Sequence, residues 1–213
     1  MIIEITLSLL FLFISSLIIY WVIHLKVEDK NKKVVIIFYN FHSVIWAFSL
    51  ITIPFINSSF LRFYLPENLS YFKDYWILFA LLGIVFILLG INFARRASKL
   101  KKNKIQNENN SELITSGVFR IIRHPTYSAW IIIFFGIALI SDSLVSLIFC
   151  PIISLILEIH ASIEEKLILI PRYGNDYENF KEKSPSRIIP TPLNLLLIII
   201  AMIIVYVGFL NFS

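Results

Sequence analysis

The segment from Leu113 to Trp130, LITSGVFRIIRHPTYSAW, concentrates side chains that can bind a charged ligand. Arg123, His124 and Tyr127 stand at the start of an apolar run, a few residues after a turn signal at Gly117. Polar groups at a membrane boundary are costly unless they are solvated or paired, so each is a candidate for a functional site. The pattern predicts a pocket with a basic and aromatic wall.

An acidic pair, Glu164 and Glu165, follows the next apolar run about forty residues later. On a helix, His160 and Glu164 share a face, and Glu165 points about 100° away from them. One interpretation is that the carboxylates pair with Lys166 or Arg123 and mark the end of a helix. The other is that one carboxylate holds a cationic group of a ligand, and the spacing leaves both open.

Pro125 suits the first turn of a helix, because its missing N–H costs nothing there. His124 then lies near the N-cap, where unpaired N–H groups carry partial positive charge and can receive a carboxylate. Arg123 adds a forked donor, and Tyr127 and Trp130 share a helix face. The alternative is that Arg123 anchors to lipid phosphate while the two aromatic residues form an interfacial belt.

Composition predicts an integral membrane protein with one domain over residues 1–213. Of the chain, 58% is hydrophobic, against roughly half in soluble domains, and the mean hydropathy is +0.81. The net charge of +5 does not indicate nucleic-acid binding, because the basic residues lie in short loops between apolar runs. Cys150 is the single cysteine, so there is no internal disulfide, and the four scattered histidines give no metal-ligand spacing. The first apolar run lacks a basic n-region and predicts a retained helix rather than a signal peptide.

Six apolar runs predict an all-α, polytopic transmembrane bundle of five to six spans. The fourth and fifth runs are short and are joined only by residues 141–143, which predicts a tight helical hairpin that is tilted or does not fully cross. The predicted spans are roughly Ile2–Leu25, Val34–Ile56, Tyr75–Ala94, Thr126–Ile140, Leu144–His160 and Leu193–Leu210.

Alternation of six spans brings 17 of the 19 Lys and Arg residues to one membrane face, with only Arg62 and Lys73 on the other. The positive-inside rule assigns the basic face, and with it the predicted pocket, to the cytoplasm. Residues 95–112 form a polar stretch that we expect to be a basic loop at anionic lipid. The alternative for this stretch is a flap over the pocket.

These elements occur in an order that resembles the isoprenylcysteine carboxyl methyltransferase family and the related phospholipid N-methyltransferases. The order is LITSGVF, RHPTY, a hairpin, EE, YG..Y..F and a final Pro, within residues 75–190. Residues 1–74, predicted as accessory helices, and the extra C-terminal helix at 193–210 match no motif. The resemblance implies S-adenosylmethionine at the cytoplasmic face. The residues implied to bind it are Ser111, Glu112, Leu113, Ile114, Phe119, His124, Pro125, Thr126, Tyr127 and Glu165. If the acidic pair matches the family pattern with a shift of one residue, Glu164 takes the place of Glu165.

The implied roles follow from the charges of the cofactor. Glu165 would pair with the ammonium, and His124 with the helix N–H groups would receive the carboxylate. Tyr127 would meet the sulfonium by a cation–π contact of ~0.5–2 kcal/mol. Leu113 and Ile114 would face the adenine.

Three positions depart from the family pattern. Phe119 stands where a Tyr is usual, and His160 stands where the family usually has an Arg that places the substrate. The spacing from the acidic pair to Gly174 is one residue longer than the resemblance implies, which makes Glu164 the alternative ligand.

The resemblance therefore implies a membrane methyltransferase for a lipid-like or isoprenylated-cysteine acceptor that enters from the bilayer, with O-methylation of a carboxylate favoured. Arg123 and His160 are the candidate catalytic residues, and His160 would orient the acceptor or remove a proton. One alternative is an NADPH-dependent sterol-type reductase, although only six Gly occur and no dinucleotide fingerprint precedes a strand. The other is a non-catalytic relative.

Overall fold

The computed structural model of the protein is built from helices. It describes residues 2–27, 32–56, 75–106, 112–142 and 144–190, with 199, 200, 202, 203 and 206, and within these residues no strand occurs. The predicted all-α class is confirmed for this part of the chain. The helices are α1 (Ile2–Val27), α2 (Lys32–Ile56), α3 (Trp76–Gln106), α4 (Pro125–Ile140), α5 (Leu144–Glu164), α6 (Ile170–Tyr173) and α7 (Asn175–Lys183), with a 3₁₀ helix at Gly117–Arg120 and a π-helical turn at Glu165–Leu169.

Two of these helices contain stretches long and apolar enough to cross a membrane, Glu4–Val22 in α1 and Trp76–Asn103 in α3. Shorter apolar stretches occur at Val44–Ile56 and Pro125–Ile140. Large apolar side chains cover the outer face of α3, which suits lipid tails better than water. Five to six spans remain a prediction, and most of the predicted run Leu193–Leu210 lies outside the described residues.

Glycines bring α3 and α4 into close contact. A Cβ atom on Gly136 would lie 2.6 Å from the carbonyl oxygen of Gly83, and a Cβ on Gly83 would lie 2.6 Å from that of Gly136. About two helical turns further along α3, Gly90 lies against Ile133 and Ala129. Small residues allow helix backbones to approach closely in membranes. This packing fixes the start of α4 beside the basic end of α3.

The prediction of a loop over residues 95–112 is wrong for its first part. Helix α3 continues through Gln106, so residues 95–106 are helical, and 107–111 lie outside the described residues. Residues 91–106 contain neither Gly nor Pro and are rich in Ala, Lys and Arg, which are good helix formers. The helical extension brings Leu100 next to Gly117 and places Lys101 at the same cavity as the start of α4.

Helices α1 and α2 pack against α4 and α5 around the main apolar core. Buried side chains of α1 and α2 meet those of the other two helices. The core residues include Phe13, Leu17, Trp46, Leu50 and Ile53 on one side and Ile131, Phe134, Ile153 and Leu157 on the other. A second cluster, Ala97, Val118, Phe119, Tyr177 and Phe180, joins α7 and the 3₁₀ helix to α3.

Candidate functional site

The chain enters α4 through a tight turn. Gly117 has φ +60°, a conformation that L side chains rarely adopt, and it begins the 3₁₀ helix. His124 is the N-cap of α4, and Pro125 occupies its first turn, as the sequence predicts. The N–H groups of Tyr127 and Ser128 donate to the carbonyl oxygen of His124, at 3.1 and 3.3 Å.

Residues 184–188, here called the strap, cross this end of α4. The N–H groups of Arg123 and His124 donate to the carbonyl oxygens of Ser186 and Arg187, at 3.1 and 2.9 Å. The guanidinium Nη1 of Arg123 donates to the carbonyl oxygens of Ser184 and Pro185, at 2.6 and 2.8 Å. The N–H groups of Arg123, His124, Tyr127 and Ser128 are therefore bonded within the protein, at the helix start where a ligand carboxylate was expected.

Glu165 is enclosed by positively charged groups. Its side chain is only 3% exposed, and its Oε1 accepts a 2.8 Å hydrogen bond from Arg123 Nε. The same oxygen lies 3.2 Å from His124 Nε2, and Oε2 lies 3.1 Å from Arg187 Nε. Both carboxylate oxygens of Glu165 therefore already have partners within the protein.

Glu164, its neighbour, has different surroundings. Its side chain is 22% exposed and borders a cavity. Tyr127 Oη donates a 2.6 Å hydrogen bond to Oε2 of Glu164, and His124 Nδ1 lies 3.3 Å from the same oxygen. The His124 ring therefore faces Glu164 with one nitrogen and Glu165 with the other.

These contacts shift the pKa values of the three groups. Burial by itself would raise the pKa of Glu165, but the hydrogen bonds from His124 and Arg123 outweigh it and lower that pKa to about 2. For Glu164, burial again opposes the charge, and the hydrogen bonds from His124 and Tyr127 lower its pKa to about 2. Burial disfavours a charged His124, yet its hydrogen bonds to both carboxylates raise its pKa above the usual value. Both carboxylates are ionised at neutral pH.

A cavity of about 240 Å³ lies among the start of α4, the end of α5 and the inner faces of α1 and α2. It brings together most of the residues predicted for the site. These are Leu113, Ile114, Phe119, Arg123, His124, Pro125, Thr126, Tyr127, His160 and Glu164. Of the remaining predicted residues, Glu112 is exposed and outside the lining, Glu165 is buried behind it, and Ser111 lies outside the described residues.

The inner wall of the cavity is aromatic, and α1 and α2 provide much of it through Tyr20, His42 and Trp46. The ring of Trp46 meets that of Tyr127 edge-on, with centroids 5.4 Å apart. The His160 ring lies 5.3 Å from Tyr127 and 6.1 Å from Trp46.

Sequence reasoning missed these residues of the first two helices. A signal for them was available in the sequence. His42 and Trp46 are four residues apart and share a helix face, and polar rings inside apolar helices are candidates for a functional site. It also missed Lys101, an exposed residue of α3 that borders the cavity, and the strap.

The Gly turn, the Arg-His-Pro-x-Tyr element and the acidic pair thus meet at one cavity. Residues 75–176 match the phospholipid methyltransferase family model. No curated protein and no solved structure matches the chain. The phospholipid methyltransferase match confirms the resemblance predicted from the sequence, and it indicates a membrane-associated methyltransferase. It runs from the start of α3 to the start of α7, so α1, α2 and the strap lie outside it.

Proposed function

We propose that the protein is an S-adenosylmethionine-dependent methyltransferase with a lipid-like acceptor. The observation that carries this proposal is Glu164, an ionised and partly exposed carboxylate at the edge of an aromatic cavity, inside the segment that matches phospholipid methyltransferases. A carboxylate beside aromatic faces suits a ligand that carries an ammonium and a sulfonium. We therefore assign the cofactor's ammonium to Glu164 rather than to Glu165, which already faces the guanidinium groups of Arg123 and Arg187 and the ring of His124.

The other lining residues suit the remaining parts of this cofactor. Leu113 and Ile114 offer an apolar wall for adenine, and Lys101 offers a positive charge for the carboxylate. The hydrogen bond from Tyr127 to Glu164 holds the tyrosine ring in place as a cation–π partner. When bound, S-adenosylmethionine supplies an electrophilic methyl group.

The inner wall favours an acceptor with a lipophilic body. Trp46 and Trp130 line the cavity and also pack in the apolar core, and an acceptor with a lipophilic body would reach them from the bilayer. A carboxylate acceptor is ionised at neutral pH and needs no base, whereas an ammonium must first lose a proton. An amine acceptor would need a base, and Glu164 already accepts a hydrogen bond from Tyr127. We therefore favour O-methylation of a carboxylate, such as that of an isoprenylated cysteine. Proximity and exclusion of water would then supply most of the catalysis.

We also propose that the cavity opens at the cytoplasmic face of a multi-pass protein. The basic end of α3 and the strap residue Arg187 lie at the same end of the molecule as Glu164. An excess of Lys and Arg marks the cytoplasmic side of membrane proteins.

Calorimetry on the detergent-purified protein tests the cofactor assignment. We expect S-adenosylmethionine to bind and NADPH not to bind. Glu164→Gln removes a charge-assisted contact of ~1.5–3 kcal/mol, which corresponds to a roughly 10- to 100-fold weaker Kd. Glu178→Gln, a change at an exposed carboxylate of α7, is the matched control and should leave Kd unchanged.

Three results would overturn the proposal. A folded Glu164→Gln protein with unchanged affinity would remove the carboxylate from the pocket. Binding of NADPH alone would indicate a reductase, and binding of neither compound would indicate a non-catalytic relative. Transfer of a radiolabelled methyl group to N-acetyl-S-farnesylcysteine or to phosphatidylethanolamine vesicles then separates carboxylate from amine acceptors.

A further inference from the structure

A hydrogen bond links the first helix to the candidate catalytic histidine. Trp21 Nε1 of α1 donates to His160 Nδ1 of α5 at 2.9 Å, and both residues are buried. An indole N–H can only donate, so Nδ1 of His160 must be the accepting nitrogen. A neutral imidazole that accepts at Nδ1 carries its proton on Nε2. The contact therefore selects one of the two tautomers of His160.

We propose that Trp21 is a positioning residue that fixes His160 as a hydrogen-bond donor to the methyl acceptor. This inference rests on the proposed function and adds a role for α1, which lies outside the phospholipid methyltransferase match. His160 borders the cavity, and the nitrogen that Trp21 does not use is Nε2, which carries the proton. Its partner in a ligand is an oxygen with a free lone pair, such as a carboxylate oxygen.

The same contact argues against His160 as a base. Protonation of Nδ1 would turn two donors, the indole N–H and the imidazolium N–H, toward each other at 2.9 Å. Uptake of a proton from the acceptor at Nε2 first requires that Nε2 lose the proton it holds. The first route breaks the bond from Trp21, and the second requires either the Nδ1–H tautomer, which also breaks it, or an imidazolate, so donation is the role that the geometry favours.

Neighbouring rings keep the imidazole in this orientation. Tyr20, Trp46 and Tyr127 surround it at centroid distances of 5.6, 6.1 and 5.3 Å. Trp46 also lines the cavity, and its indole Nε1 has no hydrogen-bond partner among the described residues. A second buried donor beside His160 is consistent with a ligand that presents oxygen atoms at this end of the cavity.

Nuclear magnetic resonance of protein with ¹⁵N-labelled histidine tests the tautomer without any substrate. The signals of His160 are assigned by their loss in His160→Gln. We expect the Nε2–H tautomer in the unaltered protein and a mixture of tautomers in Trp21→Phe, which keeps an aromatic ring but lacks the donor. Trp76→Phe is the matched control, because it removes an indole bond to the carbonyl of Ile140, away from the cavity. An Nδ1–H or doubly protonated His160, or an unchanged spectrum in Trp21→Phe, would overturn the proposal.

Methyl transfer to N-acetyl-S-farnesylcysteine tests the role of the donor. Gln places an N–H donor near the position of Nε2 but accepts no proton there, whereas Leu does neither. We expect His160→Leu and Trp21→Phe to lose about tenfold in kcat/KM for the acceptor, with the Kd for S-adenosylmethionine unchanged. His160→Gln should retain most of the activity. Equal losses in His160→Gln and His160→Leu would instead assign His160 as a base. Failure of S-adenosylmethionine binding in the unaltered protein would refute the proposed function and leave the tautomer result standing.

Discussion

The ion pair between Arg123 and Glu165 should be the strongest single polar contact that holds the site together. Removal of one partner of a buried pair costs ~3–5 kcal/mol, since it leaves an uncompensated charge. Glu165 would keep His124 and Arg187 as partners after Arg123→Gln. We therefore expect the free energy of unfolding to fall by about 3 kcal/mol, the lower end of this range. Arg123→Gln also removes two bonds to strap carbonyls, so its loss should exceed that of Glu165→Gln.

A double-mutant cycle in detergent micelles, with unfolding followed by SDS titration, measures the pair itself. We expect a coupling free energy of about 2 kcal/mol for Arg123 and Glu165. Glu178 and Lys181 form the matched control, with the same 2.8 Å separation but side chains that are 50% and 33% exposed. Exposed pairs contribute roughly 0.2–1 kcal/mol. The reasoning would be refuted by equal coupling in the two pairs, because burial would then have no effect on the interaction.

Two further predictions concern packing and pH. Helix propensity alone would raise the free energy of unfolding of Gly136→Ala by about 1 kcal/mol. The added Cβ would lie 2.6 Å from the backbone of Gly83, so we expect overpacking to lower that free energy by more, up to about 3 kcal/mol. A rise in Tm would contradict the close contact. The folded pKa of Glu165 is lowered from 4.5 to about 2, so the stability it contributes is complete above pH ~4.5 and is lost as pH falls toward 2, by roughly 3 kcal/mol. Thermal unfolding as a function of pH should show this loss in the unaltered protein, and Glu165→Gln should flatten it. His124 acts in the opposite direction, because its raised pKa gives stability that is lost as pH rises through the folded value.

Hydropathy located most helices but misjudged the end of one. Pro125 after a polar residue is a strong start signal, and α4 begins there. The end of α3 was misplaced because the apolar run stops at Ala94, whereas the helix continues through residues 95–106 on the propensity of Lys, Arg and Ala. Hydropathy measures where a helix can contact lipid, and it carries no information on where the backbone stops being helical.

The ambiguity between Glu164 and Glu165 has a physical origin. The sequence has one residue more than expected between the acidic pair and Gly174. In the structure a π-helical turn begins at Glu165, and the N–H of Ile170 donates to the carbonyl oxygen of Glu165, five residues back. A π turn accommodates one additional residue and changes the direction of the side chains around it. Counting back from Gly174 therefore could not identify the carboxylate that faces the cavity, whereas the regular period of α5 places Glu164 on the same face as His160.

The contact of Trp21 with His160 could not be predicted, because it joins residues far apart in sequence. Trp21 and His160 are 139 positions apart, and in the sequence Trp21 is indistinguishable from an interfacial aromatic residue. The residues proposed to hold the cofactor, Glu164 and Tyr127, belong to the segment that matches phospholipid methyltransferases, whereas Trp21 and Trp46 do not. If Glu164 and Tyr127 bind the cofactor while Trp21 and Trp46 orient the acceptor, cofactor binding and acceptor orientation lie in separate parts of the chain. Substitutions at Glu164 and Tyr127 should then change the Kd for S-adenosylmethionine, and substitutions at Trp21 and Trp46 should change kcat/KM for the acceptor.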